Sequence, residues 1–531
     1  MSSLPRTFPL LSCEQARAFE QALFKGDSQR EWEAMQRAGK ALAAAVERDF
    51  LELAEWPEDP RLLVLAGKGH NAGDALIAVR HLVEERPDSH VTILWASDPN
   101  EARPHVQQAR GELGRCRVAK LEEVVWTTEG ALSSPEPEYD VVFDGLLGMN
   151  FTPPLRSPYD KMIEWANHRD RHFGMRVAVD LPSGVGDAEA PGAFRADFTY
   201  AMGLPKAPIE DERNGEWVGR PELLDLGFLN AGVELPEVQA CWLDKRDALR
   251  QLQHLRPADS HKYTYGQVAV IAGSPQYPGA ALMCMGGALR VGPGLVTGIV
   301  PHMLSSRLAL ALPEVTWMPV AARPDGSLEV EAVRAAHMMA SNRTKCIVMG
   351  PGLVADRNAL FNITRIVREI TLPLVLDASA LTPEVVPAVL GRHPQAGPVI
   401  LTPHPGELKR LLDRREDGFD PQQVSDFCAR HRVILVLKGR ITRIFDGESM
   451  IATAAGGPVL ARGGTGDVLA GMIGGLVAQD PGNCRAAILR AVAWHGAAGD
   501  ALATRFGQAS PRTTELIDYL PMVLRERIRR V

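Results

Sequence analysis

No run of eighteen apolar residues occurs anywhere in this 531-residue chain, so the sequence offers no candidate for a membrane-spanning helix. An excess of positive charge is lacking too. The formal net charge is −7, which argues against a nucleic-acid partner or an anionic membrane surface. The one basic cluster, "RERIRRV" at the C-terminus, is short and is expected to be a solvated helix end. Cysteine is sparse: seven residues, scattered, with no CxxC pair and an odd total. That predicts reduced thiols, with neither a disulfide framework nor a metal cluster. The opening stretch "MSSLPRTFPLLSCEQARAFE" has no sustained apolar core, so a signal peptide is not expected and a cytoplasmic protein is. Short tandem repeats and low-complexity segments are absent as well.

What is present is a rhythm. Apolar runs without polar alternation recur, each followed by a glycine-bearing turn and a helical stretch. "RLLVLAG", "HVTILWASD", "DVVFDGLLG" and "RVAVDLPSG" mark the first half, and "QVAVIAGS", "KCIVMGPG", "LPLVLDASA", "PVILTPH" and "VILVLKG" the second. Such strands are expected where helices cover both faces of a parallel sheet. The fold class is therefore α/β with two doubly wound domains, ligands gathering at the C-terminal strand ends. The rhythm breaks within Leu229 to Asp244, and the expected domains are 1–240 and 241–531.

The stretch "ARGGTGDVLAG", 461–471, places glycines at 463, 464 and 466 before Asp467 and an apolar helix. Glycines allow a tight turn with bare N–H groups, and a helix starting near Asp467 adds unpaired N–H groups and a positive dipole end. The product is an anion site suited to a phosphate. Its field should keep Asp467 ionised, able to accept a hydroxyl proton as that oxygen attacks a phosphoryl group. An ordinary helix cap would need only the aspartate, not the three glycines. Two further stretches support the reading. "ILTPHPGE" ends a strand in a loop with His404 and Glu407, and "LVLKGRITRI" reads as a strand, a turn with Lys438 and a return strand.

At these residues a family resemblance is plain. Leu252 to Ala503 resembles the ribokinase-like NAD(P)H-hydrate dehydratases, through "HKYTYGQVAVIAGSPQYPGAAL", "VMGPGL", "LDASALT", "LTPHPGELKRLL", "LKGRITRI", "GGTGDVLAGMIGGL" and "AWHGAAGD". Gln15 to Leu226 resembles the NAD(P)H-hydrate epimerase domain often fused ahead of it, through "VLAGKGHNAGDALIAVRHL", "FDGLLGMNFTPPL", "VAVDLPSGVGD" and "ADFTYAMGLPK". The resemblance implies repair of hydrated nicotinamide nucleotides. The small-molecule partners would be NADHX, NADPHX and ADP, the last as phosphoryl donor with Mg²⁺, and a homo-oligomer is expected.

By the same resemblance, Asp467 is the catalytic base. Lys438, Gly439, Arg440, Ile441 and Thr442, with Gly463, Gly464, Thr465 and Gly466, would bind the nucleotide. Ala280, Gly352, His404 and Asp467 would contact the hydrate. In the first half Asp180 is the acid/base candidate, and His70, Asn71, Ala72, Gly73, Asp74, Gly148 and Asp180 would hold the substrate. A K⁺ ion would be held by Asn71, Asp144 and Ser183, since hard oxygen ligands suit an alkali cation. Departures from the family pattern fall mostly here. Ala72 and Ala75 replace glycines and Met149 a small polar residue, so a weakened epimerase is one expectation. The alternatives are a small-molecule hydroxyl kinase with a non-catalytic first domain, a dinucleotide-binding redox domain at "GKGHNA", and a first half turned scaffold.

Overall fold

The computed structural model describes residues 3–127, 138–169, 172–188, 191–341, 343–413 and 418–525; "RERIRRV" beyond Arg525 lies outside them. The chain forms two compact units. One is made of Gln239–Leu502 with the chain's first few residues and the segment from Ala509 onward, the other of Phe8–Val238 with Ala503–Gln508.

In the N-terminal unit a parallel sheet runs in the order Lys120–Val125, His90–Trp95, Arg61–Ala66, Tyr139–Gly145, Phe173–Val179, Phe198–Met202, Arg220–Leu224. Both faces are covered. Along Arg61–Ala66, Leu62, Val64 and Ala66 join one buried cluster with Leu42 and Val46 of helix Ser28–Phe50. Leu63 and Leu65 join another with Met162 and Ile163 of helix Tyr159–Asn167. The period-two alternation thus divides one apolar run between two cores. Strand order reverses between Arg61–Ala66 and Tyr139–Gly145, which opens a crevice at their C-terminal ends.

The sheet of the C-terminal unit runs Ala240–Leu243, Met450–Thr453, Thr442–Phe445, Val433–Leu437, Val399–Leu401, Leu374–Leu376, Thr344–Met349, Gln267–Ile271, Leu295–Pro301, Thr316–Val320. Val433–Leu437 turns back antiparallel onto Thr442–Phe445, the hairpin expected around Lys438. The strands from Val433–Leu437 to Thr316–Val320 are otherwise parallel, and the order reverses between Thr344–Met349 and Gln267–Ile271.

Helix Thr465–Gln479 packs on these two strands and on helix Pro278–Arg290. The glycines inside it have a packing cause. A Cβ on Gly471 would stand 1.8 Å from the Cys284 carbonyl oxygen, and one on Gly287 2.3 Å from that of Val468. Backbone meets backbone, which offsets the helix-weakening cost of glycine. The close contact fixes the helix that carries Asp467.

Candidate active sites

In the C-terminal unit the candidate site residues stand at the C-terminal ends of adjacent parallel strands. Lys438 follows Val433–Leu437, His404 follows Val399–Leu401, Asp377 follows Leu374–Leu376, and Gly352 follows Thr344–Met349. Lys438 Nζ donates to Asp377 Oδ1 at 2.7 Å, and Thr402 Oγ1 donates to the same oxygen at 2.8 Å. Asp377 is buried, and the residue after it, Ala378, has φ +47°, a strained conformation of the kind that gathers at functional sites. The helix bearing Asp467 begins at Thr465, two residues before the expected start, after Gly464 at φ +93°. Lys438 Nζ would lie 3.2 Å from a Cβ on Gly466, so glycine lets the ammonium rest against the first helical turn.

The field expected to keep Asp467 ionised does not dominate. Burial first, then the charges of Asp377 and Glu407, push its carboxyl up to about 7 against the opposing Lys438 ammonium. A base of that strength titrates where proton transfer is efficient. The turn itself is tied down from several sides. Thr465 Oγ1 donates to the carbonyls of Leu460 and Arg462 at 2.8 and 2.9 Å, and Thr513 Oγ1 to that of Gly463 at 2.8 Å. His495 Nε2 lies 3.0 Å from the Thr465 carbonyl, and burial lowers that imidazole to about 4, so it is neutral.

Of the other residues singled out, Ala280 and Gly352 adjoin: a Cβ on Gly352 would meet that of Ala280 at 2.8 Å. His404 is the exposed cap of helix Pro405–Leu411 rather than a plain loop residue. Its Nδ1 accepts from Gly406 N, and its own N–H donates to Glu407. Gly463 is exposed, and in the hairpin Gly439 is exposed while Arg440 and Thr442 are half-buried. Ile441 is fully buried.

In the N-terminal unit a cavity of about 560 Å³ opens at the crevice, walled by His70, Asn71, Asp74, Gly148, Met149 and Asp180 among others. Asp180 has φ +67°, and its Oδ1 accepts from Lys206 Nζ at 2.5 Å and Met202 N at 3.0 Å. Lys206 is 1% exposed; burial works against its charge, but Asp180 and Glu20 outweigh that and raise its pKa. Ala72 and Gly73 face the core instead of the cavity. Ala72 is fully buried, and a Cβ on Gly73 would strike Met35. Ala72 and Ala75 lie inside helix His70–Glu85 with no positive φ, so alanine strains nothing there. The backbone ground for a weakened first half at Ala72 and Ala75 falls away, while Met149 does line the cavity.

Asn71, Asp144 and Ser183 do converge. Ser183 donates through Oγ and N to Asp144 at 2.6 and 2.7 Å, and Leu147 N donates to Ser183 Oγ at 2.8 Å. Asn71 Nδ2 donates to the Leu147 carbonyl at 3.2 Å, while its Oδ1 lies beside Gly148. Burial pushes Asp144 up to about 6, and its donors are all neutral.

Glu20, Lys206 and Asp377 escaped sequence reasoning as site residues. Position after a strand end was the available signal for Asp377, in "LDASA"; Glu20 comes from a distant helix and gave none.

The family model described as NAD(P)H-hydrate dehydratase matches residues 268–522, and that of the YjeF-related protein N-terminus matches residues 32–207. A bifunctional NAD(P)H-hydrate repair enzyme of Gloeobacter violaceus is 35% identical over 93% of this chain and 94% of its own. One of Salinibacter ruber is 32% identical over 93% and 92%. Among solved structures, the ADP/ATP-dependent NAD(P)H-hydrate dehydratase of Bacillus subtilis co-crystallised with ATP and Mg²⁺ is 31% identical. It covers 52% of this chain and 96% of its own, with a TM-score of 0.44. With identity of this level sustained along nearly its whole length, the chain belongs to the family of bifunctional NAD(P)H-hydrate repair enzymes.

Proposed function

We propose that residues 241–531 dehydrate the S epimer of NADHX or NADPHX at the expense of ADP, releasing AMP and phosphate, and that residues 1–240 interconvert the two C6 epimers. Hydroxide is a poor leaving group and phosphate a good one. Asp467 takes the proton of the C6 hydroxyl as that oxygen attacks the terminal phosphoryl group. The N–H groups of Gly463, Gly464 and Gly466 would steady the charge that develops on it, an electrostatic role that is usually the largest catalytic contribution. The ring nitrogen lone pair then expels phosphate, and loss of a neighbouring proton restores the double bond.

Lys438 supplies a cation for the nucleotide phosphates, alongside the hairpin to Thr442, while Ala280, Gly352 and His404 contact the hydrate. Mg²⁺ would travel with the nucleotide and neutralise phosphate charge. Among the described residues no group of three or more His, Cys, Asp or Glu could hold a metal ion, so no protein ligand is assigned to it. In the first half Asp180 is the catalytic carboxylate, with His70, Asn71, Asp74 and Gly148 around the substrate. A K⁺ ion would be held by Asn71, Asp144 and Ser183, an all-oxygen set whose buried carboxylate has only neutral donors. It would supply charge compensation there.

The observation that carries the reading is Asp467 on a glycine-built helix start, with Lys438 against its first turn and its carboxyl near neutrality. The experiment is a mixed-epimer hydrate incubated with the protein, ADP and Mg²⁺. Complete conversion to reduced nicotinamide, with matching AMP and phosphate, is expected. A phosphorylated product accumulating without that absorbance would mean a hydroxyl kinase instead.

A further inference from the structure

The cavity of the N-terminal unit contains a carboxyl with no internal partner. Asp74, in the second turn of helix His70–Glu85, is 7% exposed and lines the cavity, and its Oδ1 is buried without a hydrogen-bond partner. Two nearby aspartates are engaged: Asp180 by Lys206 and Met202 N, Asp144 by Ser183 and Leu146 N. A buried oxygen that the fold leaves unsatisfied calls for an explanation, and a ligand atom is one. Burial, then the charges of Asp180 and Glu20, push the Asp74 carboxyl well above the usual range against the opposing Lys206. Glu20, on helix Cys13–Phe24, lines the same cavity and is raised to about 7, chiefly by burial. Asp180 differs from both because a buried lysine is fixed on it at 2.5 Å. A lysine-paired carboxylate is suited to steady a positive charge, and a protonated, unpartnered one to give a proton.

We propose that Asp74 is the proton-carrying catalytic residue of epimerisation and that Asp180, held by Lys206, supplies the fixed negative charge. The inference rests on the epimerase reading above and deepens it. Asp74 gives its proton to the C6 hydroxyl oxygen. The C6–O bond breaks with its electron pair on oxygen, releasing water, and the ring nitrogen lone pair forms the N1=C6 iminium. Asp180 offsets that cation. Water adds to the other face of C6, the iminium electrons return to nitrogen, and the added oxygen returns a proton to Asp74. Atoms and charge balance without a redox partner, and the C6 oxygen is replaced in each inversion.

The test uses the full chain without ADP, so that dehydration is idle, and a hydrate enriched in one epimer in oxygen-18 water. Epimer ratio and mass are followed together. Wild-type protein is expected to accelerate interconversion and to place the label on C6 at the same rate. Asp74→Asn is expected to slow both by about 100-fold, with a thermal melt of the full chain matching wild type reporting that both units are folded. Interconversion without label, or Asp74→Asn within about threefold of wild type, overturns the proposal and leaves the epimerase reading standing. No acceleration by wild-type protein removes both. If Asp74→Asn does not fold, Asp74→Ala takes its place under the same threefold criterion.

Discussion

Lys438 and Asp377, 61 residues apart in the chain, close to 2.7 Å across the end of the strand that lies between theirs. The pair sets the charge around Asp467, because the lysine lowers that carboxyl while Asp377 raises it. A nucleotide that draws the ammonium onto its phosphates would therefore leave Asp467 a stronger base at the moment a base is needed.

Removing the cation exposes the cost of this arrangement. Lys438→Met leaves Asp377 buried without its ion-pair partner and is expected to destabilise the C-terminal unit by about 3 kcal/mol, besides weakening nucleotide binding. Adding Asp377→Asn should recover part of the stability but not the binding. Denaturant melts of the single and double variants, with nucleotide titration, check both.

The acidity of Asp467 gives a signed pH dependence. The base must be deprotonated, so kcat/KM for dehydration should rise with pH through a group near 7. Stability runs the other way. A carboxyl at about 7 in the fold and 3.8 unfolded binds more protons in the folded state between those values. Its cost to the fold therefore grows from about pH 4 and levels above about 7. Asp467→Asn should melt higher than wild type at pH 8, with a smaller gap at pH 5.

The glycines in and just before the helix that carries Asp467 should separate into two classes. Gly471→Ala drives a Cβ into the Cys284 carbonyl and should cost roughly 3 kcal/mol. Gly463→Ala meets nothing within 4 Å and should change stability by less than about 0.5 kcal/mol. Thermal melts of the two variants decide.

In the first half, Lys206→Met removes the fully buried partner of Asp180. Epimer interconversion should fall by about 100-fold or more while ADP-dependent dehydration of the S epimer persists. Unchanged interconversion would mean that the ion pair is structural only.

Much of this was legible in the sequence because the signals were local. Strand-turn-helix units, the Lys438 hairpin and the glycine start of the Asp467 helix are set by neighbours in the chain. What local sequence could not show comes from residues brought together by topology. Asp377 and Glu407 raise Asp467, where the helix terminus alone predicted an ionised carboxyl. Ala72 and Ala75 looked damaging on the assumption of a glycine loop, yet they occupy ordinary helical positions. Gly287 and Gly471 gain their meaning only from the carbonyls pressed against them.

The most direct test is single-turnover dehydration of the S epimer with ADP and Mg²⁺, wild type against Asp467→Asn, with ADP affinity measured on both. The account predicts matched release of AMP, phosphate and reduced nicotinamide by the wild type. It predicts a loss of at least about 100-fold in the variant at unchanged ADP affinity. Turnover by Asp467→Asn within a few-fold of wild type would contradict it.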